Sequence, residues 1–104
     1  GVSMRLTFQV VENTVFDHFS KHNFKDIYYG RDDRSQEIDF VIPSQKQAYQ
    51  VCYLLNDSNI QREIKTLNMF DGSSSLVYMY DQRSEKGDLG NIKLIGLDQF
   101  LLEI

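Results

Sequence analysis

Cysteine and proline are almost missing from this chain of 104 residues, with one of each. The single Cys52 cannot form an internal bridge, which excludes a disulfide scaffold and fits a reducing compartment. Positive charge is in the minority: 15 Asp and Glu face 11 Lys and Arg, a formal net charge of −4. That balance creates no general electrostatic pull toward nucleic acid. No apolar run is long enough to span a bilayer, so the expectation is a cytoplasmic chain with no membrane contact. The six glycines never fall into GxxxxGK(S/T) or GxGxxG, and there is no GxSxG elbow, CxxC pair or HExxH helix. A nucleotide site of short-motif type is therefore not expected in this segment.

What remains is ordinary for a soluble globular chain, with 41% hydrophobic and 25% charged residues. That composition excludes a disordered tail and a fibre. There is no repeat, no low-complexity segment and no long linker. Residues 1–104 read as a single domain, expected to be a fragment of a larger protein, with Gly1 as a cloning remnant.

Residues 11–22 (VENTVFDHFSKH) read as a helix with Val15, Phe16 and Phe19 as its apolar stripe and Asn23 as its stop. DIYY at 26–29 reads as a short strand ending at Gly30, followed by a polar loop. EIDFVI at 37–42 alternates and is rich in β-branched and aromatic residues, so it reads as a strand that Pro43 ends. AYQVCYLL at 48–55 reads as its antiparallel hairpin partner. Asn56 to Asn59 offer N-caps for a helix over 60–70. SLVYMY at 75–80 and IKLIGL at 92–97 read as buried strands, separated by a polar loop that looks the least ordered part of the chain. Asp98 is placed to cap a final helical turn, QFLLE. The expected fold is a mixed α/β central sheet flanked by helices, in the order α-β-β-β-α-β-β-α, with a parallel neighbour across the strand–helix–strand unit.

Four side chains sit where a plain core would not put them. Glu12 lies three, four and seven positions before Val15, Phe16 and Phe19, inside the stripe. Burying a carboxylate is costly unless it is paired or bound. Glu12 is either an acid reaching water from a first helical turn or one facing a polar site. Asp39 shares a strand face with Glu37 and Val41, and Asp is a poor strand former. It reads as the wet side of an edge strand unless both faces are covered. Gln50 and Cys52 share one face of the next strand and come beside Asp39 in a regular hairpin. Singly, Gln50 reads as a hydrogen-bonded core amide and Cys52 as a small buried apolar group. Glu63 reads as a solvated rim acid on the flank of its helix. His18 and His22 are spaced i, i+4, which can bind metal, but without a third ligand nearby they read as surface histidines.

The ordered run VENTVFDHF, IYYGRDDRSQEIDFVI, AYQVCYLL, QREIKTL and NIKLIGLDQFLL resembles the C-terminal domain of a prokaryotic family of AAA-type ATPases. That domain is similar to the restriction-endonuclease fold, the PD-(D/E)XK superfamily. The resemblance spans residues 8 to 103. In the superfamily a helix acid, a strand Asp and a Glu-x-Lys strand hold a divalent metal and activate water. The resemblance puts the helix acid at Glu12, the strand acid at Asp39, and Gln50-Val51-Cys52 in the Glu-x-Lys position. It therefore implies a magnesium site at Glu12 and Asp39, weakened because Gln50 carries no charge and Cys52 no ammonium.

The resemblance, with the Glu and Lys of its site replaced, implies a non-catalytic accessory domain of an AAA-type ATPase, docking or regulating. ATP would bind only in the upstream ATPase domain, and a nucleic acid or a protein would be the further partner. The rival is a working metal-dependent nuclease that recruits Glu37 or Glu63. A free-standing binding domain is the third reading.

Overall fold

The structure, a computed structural model, describes the backbone of residues 2–22, 27–29, 38–87 and 89–103, and side chains from residue 9 onward within those ranges except 28–29. Helix α1 runs Val2–Lys21. Val11, Val15 and Phe19 recur every fourth residue and are buried, so a straight stripe fastens this half of α1 to the sheet. The apolar spacing marks only residues 11–22, and the helix instead begins at Val2. Its first half alternates apolar and polar residues, which conceals the helical period. The helix stop expected at Asn23, the turn at Gly30 and Glu37 lie outside the described residues.

Five strands form one sheet in the order β1-β2-β3-β4-β5. They are β1 (Tyr28–Tyr29), β2 (Phe40–Ile42), β3 (Gln47–Leu55), β4 (Ser73–Asp81) and β5 (Ile92–Gly96). β2 pairs antiparallel with β1 and β3, whereas β4 pairs parallel with β3 and β5. The mixed α/β sheet flanked by helices is as expected. DIYY contributes only a two-residue pair; with that pair counted the order is the expected one, but the four longer strands alone run α-β-β-α-β-β-α. The strand expected over 37–42 is likewise confined to Phe40–Ile42.

Helices α2 (Ile60–Asn68) and α3 (Leu97–Glu103) complete the fold. β3 is central and buried on both sides, and its alternation divides the core. Tyr49 and Val51 join Val11, Val15, Phe19, Phe40, Val77, Ile95 and Phe100 under α1 and α3. Ala48 and Cys52 join Ile60, Leu67, Leu76 and Ile92 under α2. Phe19 is the hub of the first layer, with ring centroids 5.0 Å from Tyr49 and 5.4 Å from Phe100. Edge-to-face pairs of this kind add about 0.5–1.5 kcal/mol each beyond area burial, and Phe100 is how the short α3 is held.

Close backbone approaches explain two local conformations. The β2–β3 connection is a 3₁₀ turn, Pro43–Gln45, closed by Lys46 in the left-handed region at φ 51°. The Lys46 carbonyl then accepts the Ser73 N–H at 2.8 Å, which ties the hairpin to the start of β4. A Cβ on Gly72 would lie 2.5 Å from that same oxygen, and Gly72 has φ +153°. Only glycine fits there.

Candidate functional site

The ladder between β2 and β3 ends at the pair Phe40 and Tyr49. The next opposed residues are Asp39 and Gln50, and here side chains replace backbone. The Asp39 N–H donates to Gln50 Oε1 at 3.0 Å, and the Val51 N–H donates to Asp39 Oδ2 at 2.8 Å. Both side chains are almost fully enclosed, at 6% and 7% exposure. The reciprocal pair satisfies two backbone donors that the sheet would otherwise bury unbonded. Asp39 is thus not the wet side of an edge strand. Its carboxylate extends the sheet's hydrogen bonding past the end of regular pairing.

Cys52 lies on the α2 side of the sheet, where Asn59 Nδ2 reaches its sulfur at 3.8 Å. Burial pushes its thiol up to about 12, helped by the negative charges of Glu63 and Asp39. The group is a neutral thiol throughout the physiological range, neither a cation nor a nucleophile. Glu63, expected on a solvated rim, is 7% exposed, and the exposed Arg62 guanidinium stands 3.8 Å from it. The apolar positions of α2 are Ile60 and Leu67, and Glu63 lies between them at i+3. That spacing was the signal of its burial. A pocket of about 200 Å³ opens beside Cys52, Asn59, Arg62 and Glu63.

Glu12 does not join this group. The buried line of α1 is Val11, Val15 and Phe19, and Glu12 sits half-buried on its flank. Its helix covers the Tyr49 and Val51 face, whereas Cys52 belongs to the opposite core. Asp39, Gln50 and Cys52 come together, and the helix acid stands apart from them. The expected caps of α2 also act differently. Asn59 precedes the helix without a side-chain cap bond; its Oδ1 instead accepts the Asn56 N–H at 2.9 Å. His18 is not on the open surface: its ring packs 5.3 Å from Phe100 and 4.3 Å from His22.

The divalent metal implied by the resemblance can be tested against these donors. A hard cation needs converging anionic oxygens. Asp39 Oδ2 already accepts the Val51 N–H, Gln50 Oε1 already accepts the Asp39 N–H, and Glu12 lies on a helix of the other layer. Among the described residues, no three His, Cys, Asp or Glu side chains group as metal ligands. Among the described residues, the donors do not converge as that cation requires.

The polar loop after β4, expected to be least ordered, holds charged contacts that the sequence reading missed. Arg83 and Lys86 both fasten onto Asp81. Ser84 donates its N–H at 3.0 Å and its hydroxyl at 2.5 Å to Asp57. An Asp and an Arg two residues apart at the end of a strand are the trace of this in the sequence.

The fold and these contacts define a small mixed α/β domain whose strand acid serves the sheet. The family model for a domain of unknown function, DUF4143, matches residues 9–100, and the chain belongs to that family. The comparisons with curated proteins and with solved structures give no match. Among the described residues, no helix is long and apolar enough to cross a membrane.

Proposed function

We propose that this chain is a non-catalytic docking or regulatory domain of a cytoplasmic AAA-type ATPase, built on a nuclease-like frame with a disabled site. The observation that carries this reading is the Asp39–Gln50 exchange. The strand acid and the residue in the superfamily's glutamate position are spent on backbone donors. A buried neutral thiol stands where the lysine would be. Metal-assisted hydrolysis needs charge at the metal, at the attacking water and at the leaving oxygen, and this arrangement brings no cation to the water. The family's frequent occurrence in AAA-ATPase-associated proteins supports the ATPase as partner. ATP would bind in that ATPase domain and not in this one.

The test is a cleavage assay on single- and double-stranded DNA with magnesium and with manganese. No cleavage is expected from the natural chain. Loss of one electrostatic donor commonly costs about a hundredfold or more in rate, and two are absent here. Metal-dependent cleavage that Asp39→Ala abolishes would establish a working nuclease in its place.

A further inference from the structure

β4 and β5 are parallel neighbours, yet the described residues that connect them form no helix. On the face of these two strands that α2 shares, the helix covers Leu76 and Ile92, and the loop covers what lies beyond them. An open pocket of about 550 Å³ remains there, floored by Tyr78, Ile92 and Leu94, walled by Leu89, and ending at Asp81, Arg83 and Lys86. The size falls within the range of small-molecule sites, roughly 300–1,000 Å³.

Arg83 is the unusual group. Its side chain is 4% exposed, and an arginine is rarely buried so far without a specific partner. Asp81 takes only one edge of the guanidinium: Nε donates to Oδ1 at 3.0 Å and Nη2 to Oδ2 at 2.9 Å. The remaining edge is the fork formed by Nη1 and the second Nη2 hydrogen. Among the described residues no acceptor meets Nη1. Lys86 Nζ is fixed beside it, 3.0 Å from the Asp81 carbonyl and 3.2 Å from Oδ1, and its side chain is half open to solvent. Among the described residues lining the pocket, two cations share the single Asp81 carboxylate. Arg83 and Leu89 also border a neighbouring pocket that Asp57 and Glu85 line; Asp57 lies near enough to act on the guanidinium through space, but its two carboxylate oxygens are taken by Ser84.

Holding the loop would need only the edge that faces Asp81. A guanidinium pinned on one side with its second fork unused is the geometry that receives an oxyanion bidentately. We propose that this pocket binds an amphipathic monoanion, a carboxylate on an apolar body, with the oxyanion on the Arg83 fork and Lys86 and the body over Tyr78, Leu89, Ile92 and Leu94. Asp81 is the positioning residue: it presents the guanidinium and stays ionised because Arg83 holds it well below the usual carboxylate range. The site lies apart from Asp39 and Gln50 and does not depend on the reading of that pair.

The experiment is an amide NMR titration of the whole chain with 3-phenylpropionate, 3-phenylpropanol and inorganic phosphate in parallel. Expected are saturable shifts at Arg83, Leu89 and Ile92 with phenylpropionate at a Kd below about 1 mM. Phenylpropanol and phosphate should each bind at least roughly tenfold more weakly, because each offers half of the recognition. Lys86→Gln, at an exposed side chain, should weaken phenylpropionate roughly threefold or more with melting unchanged; Arg83→Gln should abolish binding. Absence of saturation up to about 10 mM overturns the proposal. So does equal binding of the alcohol, which would make the pocket merely apolar, or equal binding of phosphate, which would make it a general anion site. Lys86→Gln binding as tightly as the natural chain also overturns it.

Discussion

Replacing Asp39 with alanine separates a structural carboxylate from a catalytic one. In the natural chain Asp39 Oδ2 accepts the buried Val51 N–H at 2.8 Å. Alanine leaves that donor in a place where the chain excludes water, and a buried donor left unbonded costs about 1–3 kcal/mol. Gln50 keeps its bond to the residue-39 N–H, because that donor belongs to the backbone. The expected loss is therefore about 2 kcal/mol. For a domain near this size that lowers Tm by roughly 8–16 °C. Asp39→Asn retains a carbonyl acceptor and should lose clearly less. The assay is thermal and urea denaturation of the two variants, with amide hydrogen exchange at Val51 as local readout. If Asp39→Ala melts within about 2 °C of the natural chain and Val51 remains protected, the ladder does not rest on this carboxylate.

Gly72→Ala should destabilise by about 1–3 kcal/mol, because its Cβ would meet the Lys46 carbonyl at 2.5 Å and the Phe70 ring at 2.6 Å; denaturant unfolding measures it. Asp81→Ala removes the partner of Arg83 at the rim of an open pocket and should cost about 1–3 kcal/mol, read by the same method, while Asp57 and Ser84 continue to tether the loop. Because Arg83 depresses the Asp81 pKa, the pair's contribution is present above the ordinary Asp value of 3.8 and is lost as pH falls below it. Acid unfolding of Asp81→Asn should accordingly fall less steeply than that of the natural chain. Cys52, raised from 9.0 to about 12, stabilises the fold as a neutral thiol below pH 9 and loses that contribution as pH rises toward 12. Iodoacetamide should leave it unmodified in the native chain at pH 8, whereas urea should render it reactive; rapid native alkylation would contradict its burial.

The extended, buried parts of the fold were legible. AYQVCYLL and SLVYMY stand within two residues of the observed β3 and β4, because β-branched and aromatic residues bounded by turn formers have few other solutions. The helix over 60–70 closes at Asn68. The ends of the chain's first half were not legible. A two-residue pairing such as β1 depends on its neighbour and not on its own composition, and α1 continues through a segment that alternates like a strand. At the site, Asp39 and Gln50 were visible as polar groups in apolar surroundings, and hairpin register brought them together. Their hydrogen bonds to backbone were not visible, since nothing in a sequence says where a ladder runs out. Glu12 was misplaced by the choice of stripe: Val15, Phe16 and Phe19 put it in the middle, whereas the buried line Val11, Val15 and Phe19 puts it on the flank. Glu63 was read as a solvated rim acid from its place on the helix flank, and Arg83 was not singled out within the polar loop; their burial reflects the packing of α2 and of the described residues after β4.

The most direct measurement of the central claim is manganese titration of the labelled chain, followed by paramagnetic broadening of its amide signals. With Asp39 and Gln50 committed to backbone donors and Glu12 on the other layer, the amides of Asp39, Gln50 and Val51 should broaden no more than those of exposed acidic segments. Selective broadening centred on these three amides at micromolar manganese, lost in Asp39→Ala, would contradict the disabled site and restore a metal centre there.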